Sequence, residues 1–141
     1  MKKILISCVA LALIIGSFLA LSFFDFSDID GTISIILKDE IGDTISKKEF
    51  EFTNEDTLFN ILEENYEVGC ANSSFQLSDV CEKGMFSSRI ILEIDTLKTD
   101  WRNSYISIYE NGEYSVHGID DISLNDGDIF EFEFKLVGGD N

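Results

Sequence analysis

Apolar residues alternate with charged ones along several segments of this chain, which predicts β-strands that bury one face. The alternation is clearest near the C-terminus, where Phe130, Phe132 and Phe134 are separated by Glu131 and Glu133. Other segments are rich in β-branched and aromatic residues, which favour strands. Strands are therefore predicted at residues 32–37, 45–53, 89–95, 105–110, 114–116 and 130–136.

The spacing of apolar residues changes after the second predicted strand. Leu58, Ile61, Leu62 and Tyr66 fall at i, i+3, i+4 and i+8, which predicts a short amphipathic helix. Residues 67–87 show no clear period and are predicted to form a long connection. A hairpin, a helix and further strands in this order predict an α+β fold, a β-grasp-like mixed sheet with one packed helix. The alternatives are a small β-sandwich with an additional helix and a different α+β sheet.

A 21-residue uncharged run, from Ile4 to Phe24, precedes these elements. As a helix it would be about 30 Å long, enough to cross the hydrocarbon core of a bilayer. Lys2 and Lys3 before the run and acidic residues after it favour a cytoplasmic N-terminus. Residues 1–24 are thus predicted to be a transmembrane anchor or a signal peptide, followed by a linker at 25–30, a domain at 31–137 and a tail at 138–141.

The N-terminal segment, residues 1–24, determines where in or outside the cell the protein is expected to be. An uncleaved helix would give a single-pass protein of the cell membrane with its C-terminal domain extracellular. Cleavage after Ser22, at the small residues of Ala20-Leu21-Ser22, would give a secreted protein instead. The length of the run suits an anchor, which is slightly favoured.

The charge balance narrows the classes of partner. The formal net charge is -17, and the part after residue 24 has 8 basic against 27 acidic residues, a net charge of -19. Such a surface repels phosphate groups, so nucleic acid is not an expected partner, and contact with the membrane is expected only through the N-terminal segment. Cationic and neutral ligands remain compatible with it.

Two of the three cysteines, Cys70 and Cys81, lie in the predicted exported part. Outside the cytoplasm an even pair predicts a disulfide, with two free thiols as the alternative. A metal site is not expected, because the chain has one histidine and no C-x-x-C motif.

Candidate ligand-binding residues surround one predicted hairpin. Asn111-Gly112 predicts a type I′ turn, because such a turn needs positive φ at both positions. Aromatic side chains near this turn form a candidate platform for a planar ligand, with cross-strand packing as the alternative for the tyrosines. For the single histidine, ligation of a metal or a cobalt centre or a pH switch is the functional interpretation, and a surface or capping role is favoured. The candidates are Trp101, Tyr105, Tyr109, Asn111, Gly112, Tyr114 and His117.

Catalytic chemistry has no support in the sequence. The chain contains no Gly-x-Ser-x-Gly, no His-Glu-x-x-His and no phosphate-binding glycine loop, so it is not expected to be an enzyme. Asp120, Asp121, Asp126 and Asp128 cluster near one turn, where Ca²⁺ binding is conceivable. Their spacing does not match an EF-hand loop, and the simpler interpretation is that aspartate favours turns.

A series of short motifs follows the order typical of one known family. They are residues 56–58 and 61–62, then 91–94, Trp101, 105–113, Gly118, Asn125-Asp126-Gly127-Asp128 and 130–132. In this order they resemble the DUF4430 family, which is similar to the C-terminal domain of transcobalamin, over about residues 31–136. The resemblance implies a β-grasp domain of the soluble-ligand-binding kind on the outer surface of bacteria. It also implies a cobalamin-like ligand, although the Tyr-Trp pair typical of the family is Tyr105-Ile106 here.

The function expected from the sequence is therefore an extracytoplasmic, membrane-anchored module that binds a small molecule. Capture of a cobalamin-like ligand for a membrane uptake system is the form that the resemblance suggests, with no cofactor required. The alternative is a cell-surface protein-interaction or adhesion domain without a small-molecule ligand.

Overall fold

The computed structural model describes residues 29–84 and 87–138. The predicted anchor at 1–24, residues 25–28 of the predicted linker and the end of the tail lie outside the described residues. Within the described ranges, no helix has the length and hydropathy needed to span a membrane.

The described residues form one helix and nine strands. In chain order they are β1 Gly31–Lys38, β2 Thr44–Phe52, α1 Leu58–Asn65, β3 Val68–Ala71, β4 Leu77–Ser78, β5 Ile91–Ile94, β6 Leu97–Lys98, β7 Ser104–Glu110, β8 Glu113–Tyr114 and β9 Ile129–Leu136.

The larger sheet has five strands in the order β2-β1-β9-β7-β8. Strands β1 and β9 are parallel, whereas β1–β2, β7–β9 and β7–β8 are antiparallel, so the sheet is mixed. The apolar face predicted for the last strand is confirmed at Phe130 and Phe132, which are fully buried. They lie beside Ile35 and Leu37 of β1, which are also buried, and this row forms the centre of the core.

Helix α1 contributes the second layer of this core. It begins after Thr57, whose hydroxyl oxygen accepts a hydrogen bond from the backbone N–H of Asn60 at 3.2 Å, which is an N-cap. The predicted apolar stripe is buried at Leu58, Ile61 and Leu62 in the same core as the strands of the larger sheet. The prediction of an α+β fold with one helix packed on a mixed sheet is therefore confirmed.

Residues 67–87 differ from the prediction of a long connection. They contain β3 and β4, which join β5 and β6 in a second sheet with the order β4-β3-β5-β6. These strands are two to four residues long, too short to show an alternating pattern, and β3 shifts register between Gly69 and Cys70. The predicted Cys70–Cys81 disulfide is confirmed, and it fastens the irregular segment after β4 to β3.

Smaller differences affect the ends of predicted strands. The strand predicted at 89–95 is shorter, Ile91–Ile94, and the strand predicted at 114–116 is Glu113–Tyr114. The apolar face of β9 also fades toward its end, since Phe134 is partly buried and Leu136 is 45% exposed.

Candidate functional site

A cavity of about 190 Å³ lies between the larger sheet and the segment before β5. Its wall is largely apolar, and Ile106, Ile108 and Phe132 of the larger sheet contribute to it. Residues Arg89 to Ile91 also line it, and the polar residues Ser107, Ser115 and His117 interrupt the apolar wall. An apolar cavity with a few placed polar groups is the usual form of a small-molecule site.

The structure brings three of the predicted site residues to this cavity. Trp101, Tyr114 and His117 all border it. Tyr114 and His117 also border a neighbouring, more polar hollow of about 400 Å³, together with Asn111. The structure thus places Tyr114 and His117 at both hollows, Trp101 only at the first and Asn111 only at the second.

Tyr105 and Tyr109 do not border the cavity. In β7 they alternate with Ile106 and Ile108, which face the core, so the two tyrosines lie on the opposite face of the sheet. The Tyr109 ring packs edge-on against Tyr114 with centroids 5.9 Å apart. This is the cross-strand packing that the sequence left open as the alternative.

Asn111 and Gly112 form the predicted turn, with φ of 53° and 85°. The Asn111 side chain fastens this turn to the start of β9. Its Nδ2 donates to the Asp128 carboxylate at 2.9 Å, and its Oδ1 accepts from the backbone N–H of Ile129 at 2.9 Å. Gly112 supplies the second positive φ, a conformation that side chains rarely adopt. These contacts give both residues a structural role.

Trp101 stacks on Phe75, an aromatic residue that the sequence analysis missed. The two ring centroids are 6.2 Å apart and the planes are nearly parallel, at 14°. Both residues are exposed and both have positive φ, 63° for Trp101 and 56° for Phe75. Because this conformation is costly for residues other than glycine, such outliers concentrate at functional sites. We call Trp101 and Phe75 the aromatic pair; its Trp101 borders the cavity.

Asp100 organises the turn that carries Trp101. Its Oδ1 accepts hydrogen bonds from the backbone N–H of Asn103 at 2.7 Å and of Arg102 at 3.0 Å, and its Oδ2 accepts from the Asn103 side chain at 2.7 Å. These bonds, chiefly the one from the Asn103 backbone, lower the pKa of the Asp100 carboxyl to about 2. The turn is thus built around an ionised carboxylate.

Protonation of Asp100 is expected to release this turn. Because the folded-state pKa is depressed, the stabilisation is present above the ordinary aspartate pKa near 4 and is lost as the pH falls toward about 2. Trp101 is the single tryptophan, so its emission reports the turn. We expect Asp100→Ala to show at neutral pH the emission that the parent chain shows only near pH 2. Asp43→Ala, at another exposed turn, is the control, and unchanged emission in Asp100→Ala would contradict the prediction.

Arg89 is held at the cavity by three contacts. Its Nε donates to the backbone carbonyl of Cys81 at 3.1 Å, and its Nη1 forms an ion pair with the buried carboxylate of Asp120. The guanidinium carbon lies 4.0 Å from the centre of the Phe59 ring in α1, a cation–π contact. The sequence analysis did not identify Arg89, because its partners lie far away along the chain.

The aspartates of the predicted acidic cluster have separate partners. Asp120 accepts the backbone N–H of Arg89 at 2.7 Å in addition to the ion pair. Asp126 accepts the backbone N–H of Thr32 at 2.9 Å, and Asp128 accepts hydrogen bonds from Asn111 and Asn125. These contacts favour the interpretation of the aspartates as turn-stabilising residues.

Comparisons with known proteins agree with this fold. The model of the family described as "Domain of unknown function (DUF4430)" matches residues 55–135, and no curated protein matches the chain. A solved structure from Ruminococcus gnavus ATCC 29149, described as a candidate metal-binding protein, is similar with a TM-score of 0.54 and 20% identity over 76% of this chain and 98% of that chain. Haptocorrin in complex with Cbi is similar with a TM-score of 0.51 and 16% identity over 77% of this chain and 26% of that chain. At these identities the two structures show a shared fold, and the family match, which spans more than half of the residues, shows that the chain belongs to the DUF4430 family.

Proposed function

We propose that this protein is a small-molecule-binding module, and that the cavity next to the aromatic pair receives part of the ligand. The observation that carries the proposal is a largely apolar cavity bordered by an exposed tryptophan and by Arg89, whose side chain is fixed in place. Apolar walls would supply most of the binding free energy, and the few polar groups would orient the ligand.

The size of the cavity indicates how such a ligand would bind. At about 190 Å³ it is smaller than the roughly 300–1,000 Å³ of pockets that enclose a whole drug-sized molecule. It is closer to a cavity of about 150 Å³, which holds a benzene ring. One ring or one side group would therefore enter, while the rest of a larger ligand would lie across the aromatic pair.

A cobalamin-like ligand is the specific form of this proposal. Haptocorrin, which shares the fold, was solved with Cbi, a cobinamide, and the family resemblance points to the same class of ligand. A large, flat ligand of this kind matches a small cavity beside an exposed aromatic surface. In the full proposal, residues 1–24 anchor the domain outside the cell, where it captures the ligand and passes it to a membrane uptake system. The disulfide supports an oxidising location.

Calorimetric titration of the purified full-length chain with dicyanocobinamide tests the ligand class. We expect saturable binding in the parent chain and about tenfold weaker binding in Trp101→Leu, since stacking on an aromatic ring contributes on the order of 1 kcal/mol. Tyr105→Leu, on the opposite face of the sheet, is the matched control and should bind as the parent does. Absence of heat at millimolar cobinamide would remove corrinoids from the proposal.

A second candidate function is protein interaction at a cell surface, without a small-molecule ligand. It is favoured by exposed apolar side chains near the hairpin of β7 and β8. Val116 is 85% exposed and Tyr114, two positions before it, is 61% exposed, so both could contribute to contact with a partner. With a net charge of -19 after residue 24, a basic partner would be attracted. Binding to such a partner should weaken strongly with salt, because exposed charges are screened within about 10 Å at 0.1 M ionic strength.

A further inference from the structure

We infer that Arg89 determines the specificity of the cavity, and that it selects a ligand group that is an uncharged hydrogen-bond acceptor, such as a carboxamide. This inference rests on the proposed small-molecule function and names the chemistry that the cavity would recognise. It follows from how the guanidinium is fixed, which of its donors are in use and which charges surround it.

The guanidinium is preorganised by partners on three sides. The Cys81 carbonyl accepts from Nε, the Asp120 carboxylate pairs with Nη1, and the Phe59 ring covers one face. Cys81 is itself fixed to β3 through its disulfide with Cys70. A donor held in this way loses little conformational entropy when a ligand binds, so it can discriminate between ligand groups.

Arg89 also has donors to offer. A guanidinium carries more N–H groups than the two that bind Cys81 and Asp120, and within the described part of the chain its remaining donors make no hydrogen bond. Arg89 is among the residues that border the cavity, and its unused donors would be the ones to meet a ligand group bound there. The two serines of the cavity wall are engaged elsewhere: Ser107 donates to the Glu133 carbonyl and Ser115 donates to the His117 carbonyl. A ligand group at this wall would therefore meet a donor.

The charges around Arg89 favour a neutral acceptor over a charged one. Asp120 is buried and already pairs with the guanidinium, so a carboxylate ligand would place a second acid on the same base. Lys83 lies 3.6 Å from Asp120, but its side chain is largely exposed and its contribution is screened. A desolvated carboxylate without a full counter-charge is costly to bury, and an ammonium group would be repelled by the guanidinium. A carboxamide oxygen avoids both costs.

Three probes that share a phenyl ring test this selectivity in the purified full-length chain: benzamide, benzoate and benzylamine, with toluene as a probe of the cavity alone. Affinities measured by ligand-detected NMR at neutral pH should rank benzamide about tenfold above benzoate and benzylamine. In the double variant Arg89→Met/Asp120→Leu, which removes both charges together so that neither is left buried alone, this preference should disappear while toluene still binds.

The outcomes separate the two proposals. If toluene binds but benzamide is not preferred over benzoate in the parent chain, the inference about Arg89 is wrong and the cavity remains a ligand site. If neither toluene nor benzamide binds, the cavity is not a small-molecule site and both proposals fail. If the double variant keeps the preference for benzamide, another group selects the ligand. The parent chain alone decides the first two outcomes, so the test does not depend on how well the variant folds.

Discussion

Replacement of Phe132 by alanine is expected to lower the free energy of unfolding by about 3–5 kcal/mol. Phe132 is fully buried in β9, between its neighbours Leu37 in β1 and Ile108 in β7. Its strand joins the β1–β2 pair to the β7–β8 pair, so no single element can move to fill the space that alanine would leave. Both the lost burial and the remaining cavity therefore contribute to the expected loss.

Urea denaturation followed by circular dichroism measures this change. Leu136→Ala is the matched control, because Leu136 lies in the same strand but is 45% exposed, and its replacement should cost under about 1 kcal/mol. Phe132 also borders the ligand cavity, so the alanine variant should bind toluene with altered affinity. A loss for Phe132→Ala no larger than that of the control would show that β9 is not the centre of the core.

Replacement of both Cys70 and Cys81 by alanine is expected to lower the free energy of unfolding by about 3 kcal/mol. The bond closes a short loop, which restricts the unfolded chain, and it holds the irregular segment after β4 against β3. It also fixes the Cys81 carbonyl that accepts the hydrogen bond from Arg89 Nε. Loss of the bond should therefore weaken both the stability of the domain and the positioning of the guanidinium.

Comparison of the double variant with the parent chain, oxidised and chemically reduced, isolates the effect of the bond. The reduced parent and the double variant should unfold at similar urea concentrations, both below that of the oxidised parent. Cys8→Ala, a cysteine replacement in the N-terminal apolar run, controls for substitution itself and should leave the midpoint unchanged. Equal midpoints for the oxidised parent and the double variant would show that the bond adds no stability.

Local patterns were sufficient to predict the main strands of the larger sheet and the helix, but not the order of those strands. Phe130 and Phe132 alternate with acids over a long strand, and Leu58, Ile61 and Leu62 repeat at helical spacing, so each element carries enough positions for its period to be recognised. The second sheet has no such signal. Residues Val68–Ala71 give only four positions and contain a register shift, so their pairing is set by contacts with β5 rather than by local alternation.

The site was predictable only where its residues cluster along the chain. Tyr114 and His117 follow the Asn-Gly turn closely, and the turn was recognisable from its two residues. Phe75 and Arg89 are positioned by partners that are distant in sequence, Trp101 and Asp120 respectively. Those pairs join segments that lie far apart along the chain, which no local pattern encodes. The family resemblance could supply a ligand class but not these contacts.

The position of β9 constrains how the domain can form during synthesis. It is the last strand of the described chain, yet it occupies the middle of the larger sheet and pairs with β1 in parallel. A nascent polypeptide that has not delivered residues 129–136 leaves β1 and β7 without the strand that joins them. Such long-range pairing gives a high contact order and slow folding. The domain should therefore acquire its structure only after β9 has been translated.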